Sequence, residues 1–161
     1  YKTAYTAYLA ELTYKILEEK NPQDFLLYEL YQTMHWIAEK DEVEIPIMMY
    51  ELKMYEVGGF SPVLDRCVRC SNKQFPFAFS IKEGGLLCTK CRHVDGDAIF
   101  LSETLVKLLY LFSHVSLNRI GNISVKPENT LLFRRLLDAY YDHYGGYYLK
   151  TRRFLKQIEK L

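Results

Sequence analysis

Four cysteines are the residues of this chain whose spacing alone specifies a chemistry. They stand as Cys67-x2-Cys70 and Cys88-x2-Cys91, with 17 residues between the pairs. Each CxxC closes a tight turn that aims two sulfurs at one point. Two such turns at the ends of a hairpin complete a tetrahedron of thiolates, whose geometry and softness suit zinc. The intervening length falls in the range of two-knuckle sites, and no cysteine is left over. Two disulfides would require an oxidising compartment, which nothing in the sequence supports. A redox CxxC should open a helix in a βαβ pattern, which is absent here. An iron–sulfur cluster remains chemically open to four thiolates. A site with four protein ligands is closed, so the expectation is one structural Zn2+ that stabilises folding and does not catalyse. His93, two residues past Cys91, reads as a solvated surface histidine rather than a substitute ligand.

The second constellation is basic. Lys150, Arg152, Arg153, Lys156 and Lys160 gather near the C-terminus against Glu159, interleaved with Phe154, Leu155 and Ile158. Arg134 and Arg135 stand ready to extend the patch. Two readings compete. The terminal helix docks its apolar face on the core and leaves its cations in water, where they also complement the helix C-terminus. Alternatively the patch binds phosphates or an acidic peptide. Tyr140, Tyr141, Tyr144, Tyr147 and Tyr148 offer stacking surface, although helical spacing directs Tyr140, Tyr144 and Tyr147 toward the core.

Catalytic signatures are missing. His35, His93, His114 and His143 fall in different elements, and HExxH, GxSxG, GxGxxG and GxxxxGK[ST] do not occur. Carboxylates are dense in the first three helices, where most read as a solvated face. An enzyme is therefore the disfavoured class.

The elements that must position these residues are mostly helical. Ala4, Tyr8, Leu12 and Ile16 mark an amphipathic helix over 3–20. Asn21 and Pro22 offer an N-cap and first position for a second helix to about Lys40, burying Phe25, Leu26, Leu30, Met34 and Ile37. Pro46 opens a third, ended by Gly58-Gly59. Over 64–98 the helical period vanishes. Phe75, Phe77 and Phe79 alternate like a strand, Gly84-Gly85 turns, and Leu86-Leu87 returns. Ser102 caps a fourth helix carrying Leu105, Leu108, Leu109 and Phe112. Pro127 starts a long helix to about Tyr144, and a short one runs from Thr151 to Lys160. The fold class expected is mainly α: a helical domain (1–63 and 99–161) with an inserted small β-rich four-cysteine zinc finger (64–98).

Composition bounds the rest. The chain has 161 residues, 49% hydrophobic and 25% charged, which excludes a disordered tail. No apolar run approaches the roughly 20 residues of a membrane span. The net charge of +1 averages an acidic front over 1–60, net −6, with a basic back over 61–161, net +7. The first residue is Tyr1, so the chain is expected to be processed or part of something longer. No signal peptide is evident, and a cytoplasmic location is expected.

An ordered series of segments carries a resemblance. It runs from Ala4-Tyr5-Thr6-Ala7-Tyr8-Leu9-Ala10-Glu11-Leu12 through Tyr50-Glu51-Leu52-Lys53 into Gly58-Gly59-Phe60-Ser61-Pro62. The cysteines, Phe77-Ala78-Phe79-Ser80, Gly84-Gly85-Leu86-Leu87-Cys88 and Leu149-Lys150-Thr151-Arg152-Arg153-Phe154-Leu155 complete it. Over essentially its whole length the chain resembles the bacterial RecO family in its zinc-containing form. The resemblance implies a non-enzymatic recombination mediator in DNA repair. Such a protein has an N-terminal OB-fold, absent here, ahead of the helical and zinc-finger region. It binds single- and double-stranded DNA, mainly through that OB-fold, and anneals complementary strands. It recognises the acidic C-terminal tail of single-stranded DNA-binding protein and, with RecR, helps load RecA. It also implies a cytoplasmic, nucleoid-associated protein with Cys67, Cys70, Cys88 and Cys91 as zinc ligands and Lys150, Arg152 and Arg153 as the basic motif. At 151 this chain has Thr where Ser is commoner, which retains the hydroxyl. Some members carry an arginine just before the third helix's Glu-Leu, where this chain has Met48-Met49-Tyr50. The alternative is a zinc-stabilised structural or protein-interaction module that binds no DNA itself.

Overall fold

The third helix is the axis of the molecule. Its stretch from Pro46 to Tyr55 is buried without interruption, including Glu51 and Lys53. A helix buried on all sides shows little amphipathic contrast; the two helices before this one and the two after it pack around it, and the last helix packs on the first. The computed structural model describes residues 2–18, 24–121 and 123–159. The helices are α1 (Lys2–Leu17), α2 (Asp24–Glu39), α3 (Glu44–Val57), α4 (Glu103–His114), α5 (Pro127–Tyr144) and α6 (Lys150–Glu159). Between α3 and α4 lies a three-stranded antiparallel sheet of β1 (Phe77–Ser80), β2 (Gly85–Cys88) and β3 (Ile99–Leu101), in the order β2-β1-β3. The class is the one expected: mainly α, with a small sheet and the cysteines beside it.

Local chemistry explains most boundaries. Ser102 caps α4 by accepting the Leu105 N–H. Pro127 sits in the first turn of α5, where its missing N–H is no loss. Gly145 caps α5, and a side chain there would strike the Tyr141 ring. Asn21 and Pro22, expected to start α2, lie outside the described residues, as do Tyr1 and Lys160.

Two expectations need correction, and one strand carries no signal in the sequence. Phe25 is 51% exposed, because the buried stripe of α2 runs through Leu26, Glu29, Thr33 and Ile37. That stripe admits two polar residues whose hydrogen bonds are met inside: Thr33 donates to the Glu29 carbonyl, and Ser116 donates to the Glu29 carboxylate. Counting apolar residues alone rotates the face by one position. The period-two pattern of β1 does not separate an inner from an outer face, since all four of its residues are buried. β1 is the central strand, and Phe75 lies before it, packing edge-on against Phe77. β3 carries no sequence signal beyond three apolar residues, yet it pairs with β1 in the register Phe77↔Leu101 and Phe79↔Ile99.

Tyrosines of α5 fasten the sheet to the helices. Tyr144 donates to the Ile81 and Lys82 carbonyls at 2.6 and 2.8 Å, and Tyr140 donates to the Phe60 carbonyl at 2.6 Å. Of the three expected toward the core, Tyr140 is buried, while Tyr144 and Tyr147 are half-buried.

Candidate metal centre and basic face

The first knuckle is set by backbone hydrogen bonds. The Cys67 N–H bonds the Asn72 carbonyl at 2.8 Å, and the Ser71 N–H bonds back to the Cys67 carbonyl at 3.0 Å. Cys88 ends β2, and the Cys91 N–H closes the second knuckle on the Cys88 carbonyl at 3.1 Å. The Val68 N–H reaches the Leu86 carbonyl at 2.8 Å and fixes one knuckle against the other. Gly85 permits this approach: a Cβ there would collide with the Val63 carbonyl oxygen. The four Sγ atoms consequently all lie within 4.8 Å of one another, with Cys70 and Cys88 at 3.6 Å. A tetrahedral zinc with sulfurs at about 2.3 Å spaces them about 3.8 Å apart, so the donor set fits such an ion.

The electrostatics of the cluster favour a cation. Burial raises the Cys67 thiol, but backbone N–H groups of Cys70, Cys88 and Arg69 outweigh it and bring it down to about 6. Burial and the neighbouring sulfurs push Cys91 up to about 12. A bound cation is what lets all the thiols ionise together. Below the cluster, Ser80 donates to Asp95 at 2.5 Å, and the Asp97 N–H donates to the other carboxylate oxygen at 2.9 Å. These bonds hold the Asp95 carboxyl below the usual carboxylate range and tie the loop after the second knuckle to β1. His93 is exposed, its ring 2.9 Å from the Lys90 carbonyl.

The basic residues separate into two groups. Arg134 forms a fork with the Glu51 carboxylate at 2.7 and 2.8 Å and reaches Asp138 at 3.0 Å. Glu51, 1% exposed, also accepts from the Tyr8 hydroxyl at 2.6 Å. Arg152 donates to Asp142 at 2.7 Å and to the Asp138 carbonyl at 3.1 Å, and lies 4.7 Å over the Tyr141 ring. Lys156 shares Asp142 at 3.4 Å. Thr151 gives its N–H and hydroxyl to Glu11, anchoring α6 on α1. By contrast, Lys150, Arg153 and Arg135 are exposed and make no ion pair among the described residues. Most carboxylates of the first three helices are expected on a solvated face, but Glu11, Glu29 and Glu51 accept hydrogen bonds from distant residues, which only their remote partners reveal.

Two of the clefts among the described residues carry charged side chains beside aromatic ones. The larger, about 900 Å³, lies between the α2–α3 connection and the segment leading into α5. Its walls are apolar, with Trp36, Ile45, Ile123 and Leu131, while Lys40, 5.6 Å over the Trp36 ring, and Asp41, Glu44 and Arg134 supply its charge. A smaller one of about 440 Å³ sits at the α5–α6 turn, lined by Tyr147, Tyr148, Arg152, Arg153 and Lys156. A Ser–His contact, Ser113 to His114 at 2.6 Å, occurs at the end of α4, where both side chains also engage the Tyr110 carbonyl. No helix among the described residues is long and apolar enough to cross a membrane.

Residues 1–153 match the family described as Recombination protein O C terminal. This chain belongs to the RecO family. It is 52% identical over 159 residues to the DNA repair protein RecO of Oceanobacillus iheyensis, covering 99% of this chain and 62% of that protein. It is 39% identical over 161 residues to the RecO of Halalkalibacterium halodurans, covering 100% and 63%. With the RecO of Bacillus mycoides it shares 42% over 158 residues, covering 98% and 64%. The chain thus spans less than two thirds of the length of these RecO relatives, all named as DNA repair proteins.

Proposed function

We propose that this chain is the helical and zinc-bearing part of a non-enzymatic recombination mediator. In this reading Cys67, Cys70, Cys88 and Cys91 hold one structural zinc, and the segment 64–98 is an insert that the ion stabilises. The donor chemistry supports zinc: four clustered sulfurs and no open position for substrate. The protein works by binding, in a bacterial cytoplasm at the nucleoid. It engages single- and double-stranded DNA, anneals complementary strands, and with RecR helps deliver RecA to strands coated by single-stranded DNA-binding protein.

The observation that carries this reading is the division of the basic face. Arg134 and Arg152 are held by carboxylates, whereas Lys150, Arg153 and Arg135 present uncompensated charge, with Lys156 half-engaged. Unpaired cations on a fixed helix attract phosphates or an acidic tail through counterion release. The larger cleft is a weaker receiver for an acidic segment, because Asp41, Glu42 and Glu44 outnumber its cations Lys40 and Arg134, and Glu51 already holds Arg134.

Charge reversal tests the assignment. Lys150→Glu with Arg153→Glu should abolish most binding of single-stranded DNA and of an acidic-tail peptide at low salt. Lys40→Glu should leave both nearly intact. Equal binding by the reversed variant would refute the assignment to α6. A chain that binds neither ligand would favour the second reading, a zinc-stapled interaction module, which the internal engagement of Arg134 and Arg152 supports.

A further inference from the structure

We propose that the cleft at the α5–α6 turn is a single-nucleotide subsite for single-stranded nucleic acid, with Tyr148 as the base platform and Arg153 as the phosphate contact. The inference rests on the DNA-binding reading above and assigns that binding a chemistry and a place.

Tyr148 is 64% exposed, yet it is held by its neighbours on both sides. The Tyr147 carbonyl is pinned by the Tyr141 hydroxyl at 2.8 Å. Leu149 is buried, 4% exposed. Gly146, at φ 72, makes the left-handed turn that brings the chain out of α5 and into this position. Between these two anchored neighbours the exposed Tyr148 ring lines the cleft on a held backbone. Its exposure serves no packing purpose.

The charge around it is arranged for an anion. Asp142 is the acidic residue of the cleft, and Arg152 and Lys156 both engage it. Desolvation alone would raise the Asp142 carboxyl, but Arg152 and Lys156 keep it below the usual carboxylate range. Arg152, 15% exposed and stacked on Tyr141, is a positioning residue that neutralises this carboxylate. Arg153 then stands without an ion pair among the described residues, while Lys156, three positions on along the helix, stays on Asp142 at 3.4 Å. A cleft of about 440 Å³ is of small-ligand size.

An exposed ring beside a free guanidinium suits an unstacked base joined to its phosphate. Duplex bases are already stacked and would leave the ring unused. An acidic peptide would use the cations and not the ring.

The test is fluorescence titration of the 161-residue chain with an oligothymidine, an abasic oligonucleotide of equal length and an acidic peptide. Tyr148→Ala should weaken oligothymidine binding by about 5- to 150-fold, the range for one lost base stack. Tyr148→Phe should retain it, and neither change should affect the abasic strand. Arg153→Gln should weaken both strands and reduce the salt slope by about 0.7. If Arg153→Gln acts but Tyr148→Ala does not, the subsite is overturned and the DNA-binding reading stands. Equal losses for the peptide on Tyr148→Ala would make the cleft a peptide site, overturning the inference. A chain that binds no single strand overturns both readings. Circular dichroism of each variant separates misfolding from lost contacts; a Tyr148→Ala chain that folds and binds normally is the contradicting result.

Discussion

The cysteine cluster and the basic face differ in how far apart in sequence their parts lie. Every group that shapes the cluster comes from one short segment: the knuckle turns, the Val63–Gly85 bridge and the Ser80–Asp95 bond all fall between residues 63 and 97. The basic face is assembled from four helices. Arg134 of α5 is matched to Glu51 of α3 and, through it, to Tyr8 of α1; Arg152 of α6 is matched to Asp138 and Asp142 of α5. A local site can be read from spacing. A distributed one shows its cations in the sequence and conceals which of them already have partners.

The largest expected effect lies in the local site. The 161-residue chain, purified under reducing conditions, should carry about one zinc per chain. Chelation or Cys88→Ser should unfold the segment around the sheet while the helical signal largely persists. Binding free energies in small zinc modules run to about 10–16 kcal/mol, so the segment should not survive metal loss. NMR dispersion of residues 63–101 with and without chelator checks this, and an unaltered spectrum would contradict it.

The distributed site should respond next. Arg134→Ala leaves Glu51 buried without its counter-ion and should cost about 3–5 kcal/mol in denaturant unfolding. Glu51→Leu combined with Arg134→Met should recover much of that loss, because a matched apolar pair removes the stranded charge. If the single change proves neutral, the two regions do not differ in the way described.

A smaller effect separates the two regions by pH. Ser80→Ala removes a buried donor from Asp95 and should cost about 1–3 kcal/mol. Because the folded Asp95 carboxyl is depressed below the ordinary value of about 3.9, its contribution is intact above that value. It is lost as pH falls through the folded pKa. Asp95→Asn should therefore differ most from the unaltered chain near neutrality and converge with it in acid. A gap that widens toward low pH would contradict the assignment.

The same contrast explains what could be read in advance. The cysteine knuckles, the Ser102 cap, the Pro127 helix start and the Gly58-Gly59 stop are legible because each depends on neighbours within a few residues. Phe25 misled because α2 buries Glu29 and Thr33 in place of a purely apolar stripe. β3 is illegible in the sequence because three residues define no period; its pairing with β1 is a tertiary fact. Charge alone groups Arg134 and Arg152 with Arg135 and Arg153. Their carboxylates lie up to 83 residues away in sequence, as Glu51 does from Arg134.

Arg152 and Arg153 are adjacent in sequence and assigned opposite roles, and this pair tests the account most directly. Arg152→Ala and Arg153→Ala should be compared for thermal midpoint and for single-stranded oligonucleotide affinity on the same samples. Arg152→Ala is expected to lower the midpoint by loosening α6 from Asp138 and Asp142. Arg153→Ala is expected to hold stability within about 0.5 kcal/mol while weakening binding severalfold and flattening its salt dependence. Unaltered binding by Arg153→Ala, or an unshifted midpoint for Arg152→Ala, would contradict the division of the basic face.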